Sequence, residues 1–226
     1  MNQTYFVTGT DTEVGKTFVS AALLTALNEH GFSTLGLKPI AAGCEQIDGQ
    51  WKNEDALILQ KVASRDLPYE LVNPIALPDA IAPHLAAENH GCNLSVKATI
   101  AELQKGLSEP SDITLIEGAG GWYVPLNSTE FFSDFAVTLS LPVILVVGVR
   151  LGCINHALLT VGAIQQSGLR LSGWVANCID PKMSGTQQNI CTLKRSIEAP
   201  CLGVIPHLTS ASPTDAAAFL DVGSFL

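Results

Sequence analysis

Charged residues make up only 15% of this 226-residue chain, and 12 Lys and Arg stand against 21 Asp and Glu, for a formal net charge of -9. Binding a phosphate backbone calls for a basic face, so no nucleic-acid partner is expected. Aromatic residues are scarce, at 6%, yet 47% of the chain is hydrophobic, and that balance argues against disorder. No two cysteines form a C-x-x-C pair: Cys44, Cys92, Cys153, Cys178, Cys191 and Cys201 are scattered. A zinc ribbon and a thioredoxin-type redox motif are thereby excluded, and free thiols in a reducing compartment are expected. Long hydrophobic runs are missing as well. The most apolar one, Pro142–Val149, is far too short to cross a bilayer. The opening MNQTYFVTG has neither the basic start nor the apolar core of a secretory leader. A cytoplasmic protein without a membrane partner is expected.

No repeat, low-complexity segment or Pro/Ser/Gly linker divides the chain, so residues 1–226 read as a single domain. Short apolar runs at Tyr5–Thr8, Thr34–Leu37, Ile113–Ile116, Val143–Val149, Gly173–Ala176 and Cys201–Ile205 read as strands. Helical periodicity is found near Thr17–His30, Asp55–Ala63, Val96–Leu107, Phe131–Leu139, Asn155–Gln166 and Thr186–Ile197. The run VILVVGV is apolar at every position, as expected for a strand near the centre of a parallel sheet covered on both faces. The alternation predicts a doubly wound α/β fold, with a mainly parallel sheet, helices on both faces and ligands at the carboxyl ends of the strands. Leu71–Glu88, rich in Pro and Ala, is the least legible stretch.

The segment GTDTEVGKT, Gly9–Thr17, follows one expected strand and opens one expected helix. That is the context a phosphate-binding loop (P-loop) requires. Loop N–H groups and the positive helix end would cradle phosphates, Lys16 would reach the β and γ oxygens, and the Thr17 hydroxyl would ligate magnesium. Thr10 stands where such loops usually carry their first glycine, because five residues separate Gly9 from Gly15. A chance G-K-T ahead of an amphipathic helix is the alternative.

Glu117 ends the run DITLIE and leads into Gly118, Ala119, Gly120 and Gly121. Its carboxylate is expected at the same sheet edge as the phosphate loop, where it can hold magnesium while the glycines let backbone approach a phosphate or substrate. A surface Glu before a turn is the alternative. Lys38 closes the strand in LGLKP, and Pro39 denies it an easy helical continuation. It therefore projects toward the site, unless it is an ordinary solvated charge. Asp55 in NEDAL either complements its helix dipole or adds a magnesium contact. In WVANCID, Asn177 and Asp180 resemble the Asn-Lys-x-Asp element by which GTPases read guanine, with Cys178 in place of the Lys. An Asn amide also pairs with adenine, so a purine contact is expected without a choice of purine. Asn155 in LGCINHA reads as a helix N-cap, although the N–H groups of Gly152, Cys153 and Ile154 could bind a carboxylate.

GTDTEVGKT, KPIAAG, NEDAL, APHLAA, IEGAGGWYVPL, LPVILVVGVRLGCINHALLT, GWVAN and LGVIP, in that order, resemble the dethiobiotin synthetases across residues 4 to about 208. The resemblance implies a homodimer that uses ATP and magnesium to close 7,8-diaminononanoate and carbon dioxide into a cyclic urea, through a carbamate and a carbamic–phosphoric anhydride. It implies that Glu13, Val14, Gly15, Lys16, Thr17 and Phe18 hold the nucleotide, that Thr17, Asp55 and Glu117 hold magnesium, and that Asn177, Pro206, His207 and Leu208 surround adenine. Lys38 is the implied catalytic lysine, with Lys16 contributing charge and Thr12 beside the substrate's reacting end. Gly152, Cys153, Ile154 and Asn155 would receive the substrate's carboxylate from the neighbouring subunit. Ala42 departs from the family's usual Ser or Thr before the glycine of the Lys-Pro segment, so a weaker or differently routed substrate contact is expected. The rival is a regulatory or partitioning ATPase on the same fold, whose closest loops usually carry an extra Lys where this chain has Asp11.

Overall fold

The structure, a computed structural model, describes residues 3–209 and 212–224. The chain opens on β1 (Gln3–Gly9), passes through the Gly-rich loop into α1 (Lys16–Glu29) and returns as β2 (Thr34–Leu37). A run of short pieces follows: β3 (Ile40–Ala42), a hairpin of β4 (Glu45–Ile47) and β5 (Gln50–Lys52), α2 (Glu54–Val62), α3 (Tyr69–Val72), β6 (Ile75–Leu77) and α4 (Pro83–Asn89). Regular alternation resumes with α5 (Val96–Leu107), β7 (Ile113–Glu117), α6 (Phe132–Thr138), β8 (Val143–Gly148), α7 (Cys153–Gln166), β9 (Leu171–Asn177), α8 (Thr186–Ser196) and β10 (Cys201–Ile205). The short helix α9 (Pro213–Ala217) then packs against α1. Among the described residues no helix is long and apolar enough to cross a membrane.

Six strands form one parallel sheet in the order β10-β9-β8-β1-β7-β2. Helices cover both of its faces, which is why all six residues of β8 are buried. Ile144 and Val146 point into the layer that holds Leu23 and Leu24 of α1, whereas Leu145 and Val147 point into the layer of Val161 and Leu193. This is the doubly wound, mainly parallel architecture that the sequence predicts, with VILVVGV inside the sheet. The stretch Leu71–Glu88, the least legible in the sequence, contains parts of α3 and α4 and the whole of β6, with β6 paired to β3 apart from the main sheet.

Register places the charged side chains. β1 pairs Val7 with Glu117, and β2 pairs Leu37 with Ile116. Lys38 and Glu117 thus leave adjacent strands at one level, just beneath the loop that starts at Gly9. One sequence expectation needs correction here. Asn155 is not the N-cap of α7 but its third residue, because Gly152 takes the cap position at φ 92°, a backbone conformation that favours glycine.

Candidate active site

The start of α1 is set by Gly15, which turns at φ 82°. A Cβ at this position would lie 2.3 Å from Asn177 Nδ2, so both conformation and space exclude a side chain. Glu13 adopts the left-handed region without being glycine, at φ 58°, a strain of about 1–2 kcal/mol. The loop is held from two neighbouring strands. Asn177, at the end of β9, donates from Nδ2 to the Val14 carbonyl at 2.9 Å, and the Thr10 N–H donates to Val146 of β8 at 3.0 Å. One of the two N–H groups on the Asn177 amide nitrogen is therefore taken by the loop itself. Lys16 Nζ donates to the Asp11 carbonyl at 3.2 Å, and the Asp11 carboxylate pairs with Arg150 from the turn after β8.

Below the loop, Glu117 is 0% exposed, so it is no surface carboxylate. Its Oε1 accepts from the Thr17 hydroxyl at 2.8 Å and from Lys38 Nζ at 2.7 Å. Lys38 is 4% exposed, which rules out a solvated charge. It also donates to the Gly118 carbonyl at 3.2 Å and stands 3.4 Å from Asp55 Oδ2. Burial works against the Lys38 cation, but Glu117 and Asp55 together outweigh it and raise its pKa. Lys16 has no such partner close by. Burial first, and the nearby Lys38 charge second, lower it from 10.5 to about 8. Asp55 is aimed from the first turn of α2, where the Asn53 side chain caps the helix by accepting from the Asp55 N–H at 3.0 Å.

These groups open onto a cleft of about 1130 Å³. Thr12, Glu13, Gly15, Lys16, Thr17, Phe18, Lys38 and Asp55 line it, together with Ala119 and Gly120. One end is apolar, built from Ala41, Ala42, Ala80, Ile81, Pro83, Tyr123 and Val124. Val14, Glu117, Gly118, Asn177, Pro206, His207 and Leu208 lie outside the lining, Glu117 reaching the cleft only through its bonds to Thr17 and Lys38. A second hollow of about 470 Å³ lies at the start of α7, bounded by Leu151, Gly152, Cys153, Ile154, Asn155, Leu158 and Asn189, and shares no residue with the cleft. The trio of N–H donors expected there is one short, since the buried Cys153 donates its N–H to the Arg150 carbonyl at 3.0 Å.

Residues 3–215 match the family described as AAA domain. The chain is 51% identical over 222 residues to a protein of Cellvibrio japonicus (strain Ueda107) named ATP-dependent dethiobiotin synthetase BioD, covering 98% of this chain and 97% of that one. A protein of the same name from Pseudomonas aeruginosa (strain UCBPP-PA14) is 52% identical over 218 residues, covering 96% of each chain. The chain belongs to the ATP-dependent dethiobiotin synthetase family. Solved structures share its fold at low identity. Cobyrinic acid a,c-diamide synthase from Mycobacterium smegmatis, solved with ADP and magnesium, has a TM-score of 0.59 at 17% identity, over 96% of this chain and 91% of that one. The septum site-determining protein MinD from Pyrococcus horikoshii OT3, solved with Mg-ADP, has a TM-score of 0.52 at 17% identity, over 99% and 89%. Membership among the dethiobiotin synthetases does not favour the rival reading as a switch ATPase.

Two groups of cleft residues carry no sign in the sequence that they belong to the site. Pro213 and Thr214 form part of the cleft wall, on a helix of five residues too short to show a period. Ile58, Lys61 and Val62 extend the same wall from α2. Their periodicity marked them as a helix face, but only the packing of α2 beside α1 turns that face toward the phosphate loop.

Proposed function

We propose that the cleft performs the ATP-dependent closure of 7,8-diaminononanoate with carbon dioxide to dethiobiotin, releasing ADP and phosphate. The observation that carries this reading is the Lys38 ammonium, buried between Glu117 and Asp55 just beneath the phosphate loop. When an amine adds to carbon dioxide, the resulting carbamate oxygen must approach an already anionic γ-phosphate. Positive charge fixed in place beforehand lowers that barrier, and Lys38, Lys16 and the N-terminus of α1 supply it. The second amine then attacks the carbamic–phosphoric anhydride, closes the ring and expels phosphate. Positioning and electrostatics carry the rate, without a covalent protein nucleophile. The apolar end of the cleft suits an alkyl chain, and Ala42 lies there with no hydroxyl to offer. Thr12 lines the cleft beside the loop, where the reacting amines would sit. We read residues 1–226 as one cytoplasmic domain that carries the whole reaction.

Thr17, Asp55 and Glu117 would hold magnesium. The fit rests on Glu117 Oε2, a buried carboxylate oxygen with no hydrogen-bond partner. Two carboxylates and one hydroxyl match an ion that fills its remaining positions with phosphate oxygens and water. When bound, magnesium supplies neutralisation of the phosphate charge. Adenine would lie toward Asn177, Pro206, His207 and Leu208, or against the Phe18, Pro213 and Thr214 side of the cleft; the lining favours the latter.

A homodimer fits the second hollow. Gly152, Cys153, Ile154 and Asn155 cannot serve the cleft of their own chain, and beside them Leu151 is 88% exposed and Leu159 66% exposed. A second copy seated there would cover these leucines and receive the far carboxylate of its partner's substrate.

The reading is tested by mixing the protein with magnesium, ATP and bicarbonate, with and without the diamine, and weighing the products. ADP release that requires both diamine and bicarbonate, together with a new cyclic urea, is expected; hydrolysis indifferent to the diamine overturns it. Lys16 adds a pH signature. Its cation is half lost near pH 8 in the free protein, and a bound phosphate restores it. Nucleotide binding at that pH is expected to take up about half a proton. Calorimetry in buffers of different ionisation heat reads this directly, and the uptake should vanish in Lys16→Met.

A further inference from the structure

A closed ring of polar contacts joins Lys38 to Asp55 through residues that do not touch the phosphate loop. The Lys38 carbonyl accepts from Asn73 Nδ2 at 2.7 Å. Asn73 Oδ1 accepts from the Tyr69 hydroxyl at 2.8 Å, and that hydroxyl in turn accepts from the Asn53 N–H at 2.7 Å. Asn53 Oδ1 accepts from the Asp55 N–H at 3.0 Å, and the Asp55 carboxylate returns to Lys38 Nζ at 3.4 Å. Asn73 is 2% exposed, and Tyr69 and Asn53 are each 9% exposed, so water is a poor substitute for a lost partner. Burial pushes the Tyr69 hydroxyl up to about 12, against the Asn53 hydrogen bond, so it keeps the proton it gives to Asn73. Lys52 Nζ sits 5.7 Å over the centre of the ring and clamps it from the hairpin side.

We propose that Tyr69 is a positioning residue whose hydroxyl sets the spacing between Lys38 and Asp55. Glu117 holds the Lys38 ammonium, but the Lys38 backbone is fixed by a different segment: its N–H donates to the Val72 carbonyl at 2.8 Å and its carbonyl takes the Asn73 amide. The first turn of α2, which aims Asp55, is tied to that same segment through Asn53 and Tyr69. One hydroxyl thus bridges the support of a strand end and the support of a helix start. Removing it strands two buried groups, the Asn53 N–H and Asn73 Oδ1, and frees α2 to move against the strand end. Misplacement of reacting groups by about 1 Å can cost about 10²-fold in rate.

The inference rests on the roles given above to Lys38 and Asp55. Diamine-dependent ADP release by the wild-type protein tests those roles, and the variants below test the ring. Tyr69→Phe is expected to lower kcat about 10-fold or more while KM for ATP stays within about 2-fold. In the ligand-free protein, amide exchange should quicken in peptides spanning Asn53–Asp55 and stay as in the wild type across α1. A merely structural role for Tyr69 would quicken exchange throughout and spare kcat. Uniformly faster exchange, or wild-type kcat, in folded Tyr69→Phe overturns the proposal. Asn73→Asp keeps an acceptor for the Tyr69 hydroxyl and drops the amide donor to Lys38, so the same loss of kcat is expected. Wild-type kcat in Asn73→Asp overturns the proposal as well, whether or not Tyr69→Phe folds.

Discussion

Lys38→Ala is expected to cut turnover by at least ~10²-fold while nucleotide binding stays nearly intact. The nucleotide would be held chiefly by the loop, and the loop is braced by Asn177 and Val146, which Lys38 does not touch. The charge lost is the one level with Glu117, where the carbamate oxygen would meet the γ-phosphate. The variant also loses stability. Glu117 is fully buried, and removing its closest cation leaves Oε1 of the carboxylate with the Thr17 hydroxyl as its remaining partner among the described residues. Breaking a buried pair from one side costs about 3–5 kcal/mol. The raised pKa of Lys38 fixes the pH window of this term. Its contribution is complete below the ordinary value of 10.5 and fades only as pH climbs through the higher folded value. Denaturant unfolding at pH 6 and pH 8 should therefore show the same deficit. Steady-state assays with the diamine, beside a fluorescent-nucleotide titration, separate the two effects, and full activity in the variant would refute the role given to Lys38.

Glu117→Gln is expected to be nearly as damaging, by about 10²-fold in turnover, for a different reason. The amide keeps an oxygen for the Thr17 hydroxyl but removes the charge that offsets the burial of Lys38. Burial is the largest influence on Lys38 and acts downward, so without Glu117 the Lys38 pKa should drop. The residual activity would then fall on the alkaline side at a lower pH than in the wild type, since the cation exists only below its pKa. A pH–rate profile of both proteins reads this shift. An unshifted alkaline limb would show that Asp55 alone sustains the Lys38 charge.

The sheet and its reactive edge were legible in the sequence because their signals are local and strong. VILVVGV is apolar throughout, GTDTEVGKT sits between a strand and a helix, and Pro39 stops Lys38 at a strand end. What stayed hidden depends on partners distant in the chain. β6 has three residues and exists by pairing with β3, and α3 has four, so neither shows a period. Asn73, within that stretch, carries no motif, yet it holds Lys38 from 35 positions away. Asn155 misled for a local reason. Its side chain favours a cap, but the turn closed by Arg150 and Cys153 had already started the helix at Gly152. Asn177 suits a base contact by its type, but its sequence position gives no sign that it also braces the backbone of Val14, 163 positions earlier.

The pairing of Leu37 with Ile116 ties chemistry to folding. Sliding β2 by a single residue would reverse the direction of every side chain on it, and the ammonium just past its end would face the wrong layer. An error in zipping this edge strand is thus also a loss of the charge beneath the phosphate loop, so a misassembled sheet would yield an inert molecule instead of a sluggish one.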